Sequence, residues 1–224
     1  MRLNRTFNNC FVLALCLTLF PVMAEAQGGN TINLPNFVFP EFMDGIVELK
    51  TGDSYDAVIN YEMLEQHMIV LKDGQYFVMK DENLTDTVII GDRRFIPVEK
   101  CYYEVLATGR VSLFFEHKCI LESIGGVVPY DTRSTGGGLA GNTTNYGPGG
   151  LIELKIPENY KVVDQSEMWV RKEGVMYRIS GRKQFMKLFK ENEDELNRFT
   201  GQNKTDFRNL DDVVKLVHYI NGLN

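Results

Sequence analysis

Residues 68–79 read Met-Ile-Val-Leu-Lys-Asp-Gly-Gln-Tyr-Phe-Val-Met. Two short apolar runs, Met68–Leu71 and Tyr76–Met79, flank Lys72-Asp73-Gly74-Gln75. A two-residue hairpin loop needs positive φ at its centre. Gly meets that need without a Cβ and Asp tolerates it, so this stretch is read as two antiparallel strands and a tight turn.

The same reading extends in both directions from that hairpin. On the N-terminal side Val47 and Leu49 alternate with Glu48 and Lys50, and Thr51-Gly52-Asp53 turns the chain. Tyr55, Ala57, Ile59 and Tyr61 then alternate with Asp56, Val58 and Asn60. A period of two places one set on each face of a sheet. On the C-terminal side Thr87–Ile90 is a short β-branched run, and Cys101–Ala107 and Arg110–Ile120 flank Thr108-Gly109 as a second hairpin. Met168–Lys172 and Val175–Ile179 flank Glu173-Gly174 as a third.

Beyond Ser180 the period changes to that of a helix. Phe185, Leu188 and Phe189 have i, i+3, i+4 spacing, with Ser180 expected as the cap, and Leu196 and Phe199 continue a second stripe. Asn209 is an expected N-cap, with Asp211 and Asp212 in the first turn, where the helix dipole favours anions. Val213, Leu216, Val217 and Ile220 then form one apolar face before Asn221-Gly222 stops the helix. Helices this short need a packing partner. The expected fold is therefore α+β, an antiparallel β-meander packed against C-terminal helices.

Four segments follow from composition. Residues 1–26 have the parts of a cleavable signal peptide: Arg2 and Arg5, an apolar run from Phe11 to Met23, and the small-x-small site Ala24-Glu25-Ala26. The run is shorter than the ~20 residues of a spanning helix, so no transmembrane span is expected after cleavage. Residues 27–124 are the β-rich part. Residues 125–150 hold Gly136-Gly137-Gly138, Gly141 and Gly147-Pro148-Gly149-Gly150 among Ser, Thr and Asn, and read as a Gly-rich loop or linker. Residues 151–224 are a β-hairpin plus a helical tail, expected to pack on the first part. The address implied is export, most directly to a periplasm. The formal net charge is −6, with no basic cluster, which argues against nucleic acid as a partner.

Chemistry is sparse. Past the leader the chain keeps Cys101 and Cys119, an even pair that suggests a disulfide in an oxidising compartment. A two-residue Thr108-Gly109 loop would place Cys101 opposite Glu116, and a three-residue loop ending on Gly109 would place it opposite Phe115. A bridge then needs a bulge or bend in the second strand, and the alternative is two buried free thiols. His117, Cys119 and Cys101 lack an evident fourth ligand for structural zinc, so no metal or other cofactor is expected. Gly-x-Ser-x-Gly and His-Glu-x-x-His are absent from the sequence, and no catalytic residue is assigned.

Aromatic side chains supply the remaining ligand candidates: Tyr102 and Phe114 on one hairpin and Trp169 on another. A sheet with helices on it needs apolar residues on both faces, so a core role competes with recognition at each. Asn83-Leu84-Thr85, Asn142-Thr143-Thr144 and Asn203-Lys204-Thr205 match the N-glycosylation pattern.

Two stretches carry a resemblance. The first runs from Gly45-Ile46-Val47-Glu48-Leu49-Lys50 to Val58-Ile59-Asn60-Tyr61, followed by Phe95 and Tyr103-Glu104-Val105-Leu106. The second runs from Phe185-Met186-Lys187-Leu188-Phe189 to Leu210-Asp211-Asp212-Val213-Val214-Lys215-Leu216-Val217. Together they resemble uncharacterised exported proteins of Bacteroidetes-type bacteria, in which a β-rich N-terminal part precedes a helical tail. The Gly-rich insert and the less basic tail depart from that pattern. The resemblance implies an envelope setting and carries over no catalytic residue. In the same setting Asp86-Thr87-Val88 matches a short O-glycosylation signal at Thr87. The expected role is a non-enzymatic binding or structural module whose partner is an envelope protein or glycan. The rivals are an envelope hydrolase using an Asp/Glu pair and an accessory subunit of an envelope complex.

Overall fold

A computed structural model describes residues 35–80, 82–124, 156 and 159–223, all within one compact unit, Ile32–Asn224. The expected signal peptide at residues 1–26 and the expected Gly-rich loop at residues 125–150 lie outside the described residues. The fold is α+β, with a ten-stranded antiparallel sheet and C-terminal helices. Its strands in chain order are β1 (Met43–Leu49), β2 (Ser54–Glu62), β3 (His67–Lys72), β4 (Gln75–Val78), β5 (Thr85–Ile90), β6 (Arg93–Val98), β7 (Cys101–Ala107) and β8 (Val111–Glu116). A separate two-stranded ladder pairs β9 (Cys119–Ser123) with β10 (Tyr160–Asp164), and β11 (Glu167–Lys172) and β12 (Val175–Ile179) complete the large sheet. Its strand order is β12-β11-β8-β7-β6-β5-β1-β2-β3-β4. Two four-strand meanders are thus joined where β5 pairs with β1, and the last hairpin docks on β8.

The expected turns behave as their residues require. Asp73 and Gly74 have φ of 52° and 72°, and Glu173 and Gly174 have φ of 53° and 80°, two consecutive positive-φ positions in each case.

The sheet curls. Tyr61 on β2 and Tyr102 on β7 are four strands apart in sheet order, roughly 19 Å in a flat sheet. Their ring centroids are 6.5 Å apart. Inside the curl Val47, Ile59, Tyr61, Met68, Val88, Ile90, Phe95 and Tyr102 form a fully buried core. A second core lies on the same sheet face further along. There Leu113, Val170 and Ile179 meet α1 (Arg182–Leu188), α2 (Glu193–Asn203) and α3 (Leu210–Gly222) through Phe185, Phe189, Leu196, Val213, Leu216, Val217 and Ile220.

The end of α3 is pinned to the sheet. The Asn221 amide accepts from Val111 N at 2.8 Å and donates to Val111 O at 2.9 Å. This contact depends on Gly109, because a Cβ there would stand 2.6 Å from Asn221 Nδ2.

Three local expectations are corrected, and one strand, β6, was not marked in the sequence. Arg110–Ile120 is not one strand. β8 ends at Glu116 and the chain leaves the large sheet to form β9, with β10 as a partner that the sequence did not mark. The β7–β8 register pairs Tyr103 with Glu116 and contains a bulge between Val105 and Ala107, so neither of the two short-loop registers occurs. β6 is a full strand despite Pro97. It pairs with β5 only through Arg93–Phe95, so Pro97 faces no β5 carbonyl. Gly181, not Ser180, is the N-cap of α1, and Ser180 instead donates its backbone N–H and its hydroxyl to Gln184 Oε1. The Asn209 cap forms as expected, accepting from Asp212 N.

Replacing Asn221 with Ala is expected to cost on the order of 2 kcal/mol, since it leaves both Val111 backbone groups unpaired in a half-buried site. Urea denaturation of the variant against the parent checks this. A Gly109→Ala change is expected to act in the same direction through the clash with Asn221.

Candidate functional site

β6, β7 and the residue that follows β8 each place a polar side chain among the apolar positions of the inner face. Glu104 on β7 is 7% exposed. Its carboxylate accepts from Arg93 Nε at 2.6 Å and Arg93 Nη2 at 2.5 Å, a two-pronged fork. His117, just past β8, sets Nε2 2.7 Å from Glu104 Oε2 and 2.8 Å from Arg93 Nη2. Aromatic rings close around the group. The Arg93 guanidinium lies 4.8 Å from the Phe39 centroid and 5.5 Å from that of Phe95. His117 packs against Phe115 and Tyr61.

Burial by itself would raise the Glu104 pKa. The hydrogen bonds from His117 and Arg93 outweigh it and hold the carboxyl below the usual range. Glu62, at the end of β2, shows the opposite balance. Burial raises its pKa despite hydrogen bonds from Glu65 N, Leu64 N and the Asn36 amide. The Tyr61 hydroxyl is buried without a hydrogen-bond partner among the described residues, and burial pushes its pKa well up. None of the four principal clefts is lined by Glu62, Glu104 or His117.

A second polar layer sits on the opposite face of the sheet. Trp169 Nε1 donates to Glu116 Oε2 at 2.8 Å, and Gln66 Nε2 donates to Glu116 Oε1 at 3.1 Å. Lys118 Nζ lies 3.1 Å from Glu167 Oε2 and 3.5 Å from Glu116 Oε1.

The sequence candidates fall out as follows. Tyr102 is fully buried inside the curl, and Phe114 is 1% exposed beneath the Arg171 guanidinium, 5.1 Å from its ring. Neither offers a face to a ligand. Trp169 is half-buried, tilted against Tyr103 at 5.8 Å, with its N–H committed to Glu116. The Thr87 side chain is 1% exposed and its hydroxyl donates to Asp86 Oδ2, so the folded chain does not present it for glycosylation.

Cys101 and Cys119 are free thiols. The observed register carries Cys101 toward Lys118, so Cys119 falls one step on and opens β9 rather than facing Cys101. Cys101 is pushed up to about 11, chiefly by burial and then by Glu116 and Glu99. Cys119 is pushed up to about 12 by burial, then Glu62 and Asp164. Both stay protonated at neutral pH and are poor nucleophiles. Among the described residues no group of three His, Cys, Asp or Glu side chains is arranged to hold a metal.

An apolar concavity lies on the outer face of β5, β1, β2 and β3 and has a volume of about 880 Å³. Register puts Ile46 beside Ile89 and Asp56, and Val58 beside Asp44 and Leu71, all opposite in phase to the buried Val47 and Ile59. Ile46 is 41% exposed. Asp44, Asp56 and Lys72 supply the charges at its margin. Next to it Phe37, Phe42 and Tyr76 already cover Ile69 and Val78 on the same face.

The Arg93–Glu104–His117 cluster went unmarked in the sequence. A usable signal exists: Arg93 and Glu104 occupy the same alternation phase as Phe95 and Tyr102, so each interrupts an otherwise apolar row.

The fold and these sites define an antiparallel sheet domain with a helical cap whose buried polar groups are satisfied mainly from within. No family model, curated protein or solved structure matches the chain. Among the described residues no helix is long and apolar enough to cross a membrane.

Glu104→Gln is expected to lower stability by about 3 kcal/mol at neutral pH, because it leaves Arg93 without its counter-charge and weakens the acceptor beside His117 in a largely buried site. The folded carboxyl binds its proton less readily than the unfolded one. Its contribution is therefore fully present above the ordinary carboxylate range and is lost as pH falls through the folded pKa. The gap between parent and variant should narrow toward acid in denaturation curves measured across pH.

Proposed function

We propose that this chain is a non-enzymatic binding or structural module of the bacterial cell envelope, and that it recognises a protein partner through the apolar groove on β5, β1, β2 and β3. The observation that carries this reading is a division of labour between the two sheet faces. Inside, the carboxylates of Glu62 and Glu104 are taken up by neighbouring donors and line none of the principal clefts. Outside, the groove exposes Ile46 and is floored by Val58, Leu71 and Ile89. Apolar area left open to water on a folded domain is a characteristic of contact surfaces. The floor is aliphatic, Tyr55 is the one aromatic among its described lining residues, and Tyr102 and Phe114 are withdrawn into packing, which favours a protein over a glycan. The envelope address rests on the leader at residues 1–26 and on the resemblance to exported proteins.

Ile46 is 41% exposed but stands opposite Asp56 on an interior strand, so Ile46→Asp is expected to cost about 1 kcal/mol, short of unfolding the domain. A photo-crosslinking residue at position 46 should capture a discrete envelope protein in intact cells, and one at exposed Ile120 on β9 should not. Ile46→Asp should abolish co-purification of that protein. Equal capture from both positions would count against the groove. Turnover of a peptide or glycan by the purified protein would count against the non-enzymatic role.

A further inference from the structure

The large sheet is open, and β12 is one of its edges. β12 is joined to β11 by the two-residue Glu173-Gly174 loop, so Lys172 and Val175 form the closing hydrogen-bonded pair. Alternation then directs the backbone groups of Val175, Tyr177 and Ile179 toward β11. The N–H and C=O groups of Met176 and Arg178 point the other way, where no described strand receives them.

That edge is not bare. A groove of about 580 Å³ runs between it and α1, lined by Met176, Tyr177, Arg178 and Ile179 on the strand side and by Gln184, Lys187, Leu188 and Lys190 on the other. Tyr177 is 37% exposed, and Val175 at the start of the strand is 50% exposed. The charge in the groove is one-sided. Three cationic residues line it and no carboxylate does. Arg178 is paired with Glu167 at 2.9 Å, but Lys187 and Lys190 are in no ion pair among the described residues.

An open strand edge beside a helix accepts an extended peptide as one more strand: main-chain hydrogen bonds supply affinity and the flanking side chains supply selectivity. We infer that the groove between β12 and α1 binds an extended acidic segment of a partner polypeptide by strand addition. Its apolar side chains lie against Tyr177 and Leu188, and its carboxylates face Lys187 and Lys190. The site is separate from the groove on β1 and β2, and Ile46→Asp leaves it intact.

The probe is a short fluorescent peptide alternating valine and glutamate, titrated with the purified full chain and read by anisotropy. It should bind, and raised salt should weaken it. Met176→Pro removes an outward N–H without breaking the β11 ladder, a position at which an edge strand tolerates proline. It should weaken binding by about tenfold or more, through the lost bond and the ring's bulk. The Lys187→Glu/Lys190→Glu double variant should also weaken it by about tenfold. The same peptide N-methylated at alternate amides, tested on the parent protein, gives the backbone result even if the proline variant fails to fold. Equal binding of the methylated peptide, or of a valine–lysine peptide, overturns the inference. So does failure of the acidic probe to bind. A concentration-dependent dimer that Met176→Pro converts to monomer, with no peptide binding, would also overturn it and assign the edge to self-pairing.

Discussion

A carboxylate placed in the wall between two apolar cores has to be answered by donors, and Glu104 is in that position. One donor, Arg93, comes from the neighbouring strand β6. The other, His117, comes from the point where the chain leaves β8. His117 also packs against Tyr61 of β2, which lies five strands from β8 in the sheet order. The donors come from β6 and the end of β8, the two strands that flank β7, and the curl adds the aromatic wall by bringing Tyr61 of β2 against His117. Apolar residues of the same volume would be about as stable, since the attraction in a buried ion pair is largely cancelled by desolvation. What the charged group adds is a penalty for any β6–β7–β8 register that leaves the carboxylate unmet.

The same face of the sheet then serves two cores. The curl encloses the first, and α1, α2 and α3 cover the second. Asn221 connects the last helix to Val111 across 110 residues of chain, so the cap is held by main-chain contacts to β8 as well as by apolar packing. Curling without closing leaves β4 and β12 as edges. β4 is only four residues long, a common way of making an edge a poor template. β12 is longer, exposes Val175 and Tyr177, and lies beside a cationic helix. The buried carboxylates of Glu62 and Glu104 thus face inward, while aliphatic and cationic side chains face outward at the two grooves.

Much of the local structure was legible. Asp73-Gly74 and Glu173-Gly174 adopt the positive φ values their hairpins require, and Asn209 caps α3. The misreadings have physical causes. β6 was not marked in the sequence; it accommodates Pro97 because a missing N–H matters only where a neighbouring strand would receive it. Ser180 has the chemistry of a cap, but its hydroxyl is taken by Gln184. The Thr108-Gly109 turn was legible and its register was not, because a single bulge near Leu106 displaces every later pairing. That displacement carries Cys101 to the level of Lys118, one residue short of Cys119, and the exit of the chain into β9 takes Cys119 out of the ladder.

The period-two rows, the Gly-centred turns and the change of period after Ser180 determined on their own that this chain forms an antiparallel sheet with helices at its end. Those signals are local, each written within a few residues of the bonds it directs. Strand order, the degree of curl and the Arg93–Glu104–His117 cluster were decided only in the tertiary structure. Each joins residues that are distant in the chain, or that meet only after a bulge and a strand exit have set the register. An alternating pattern says which face a side chain takes, but not which strand will stand beside it.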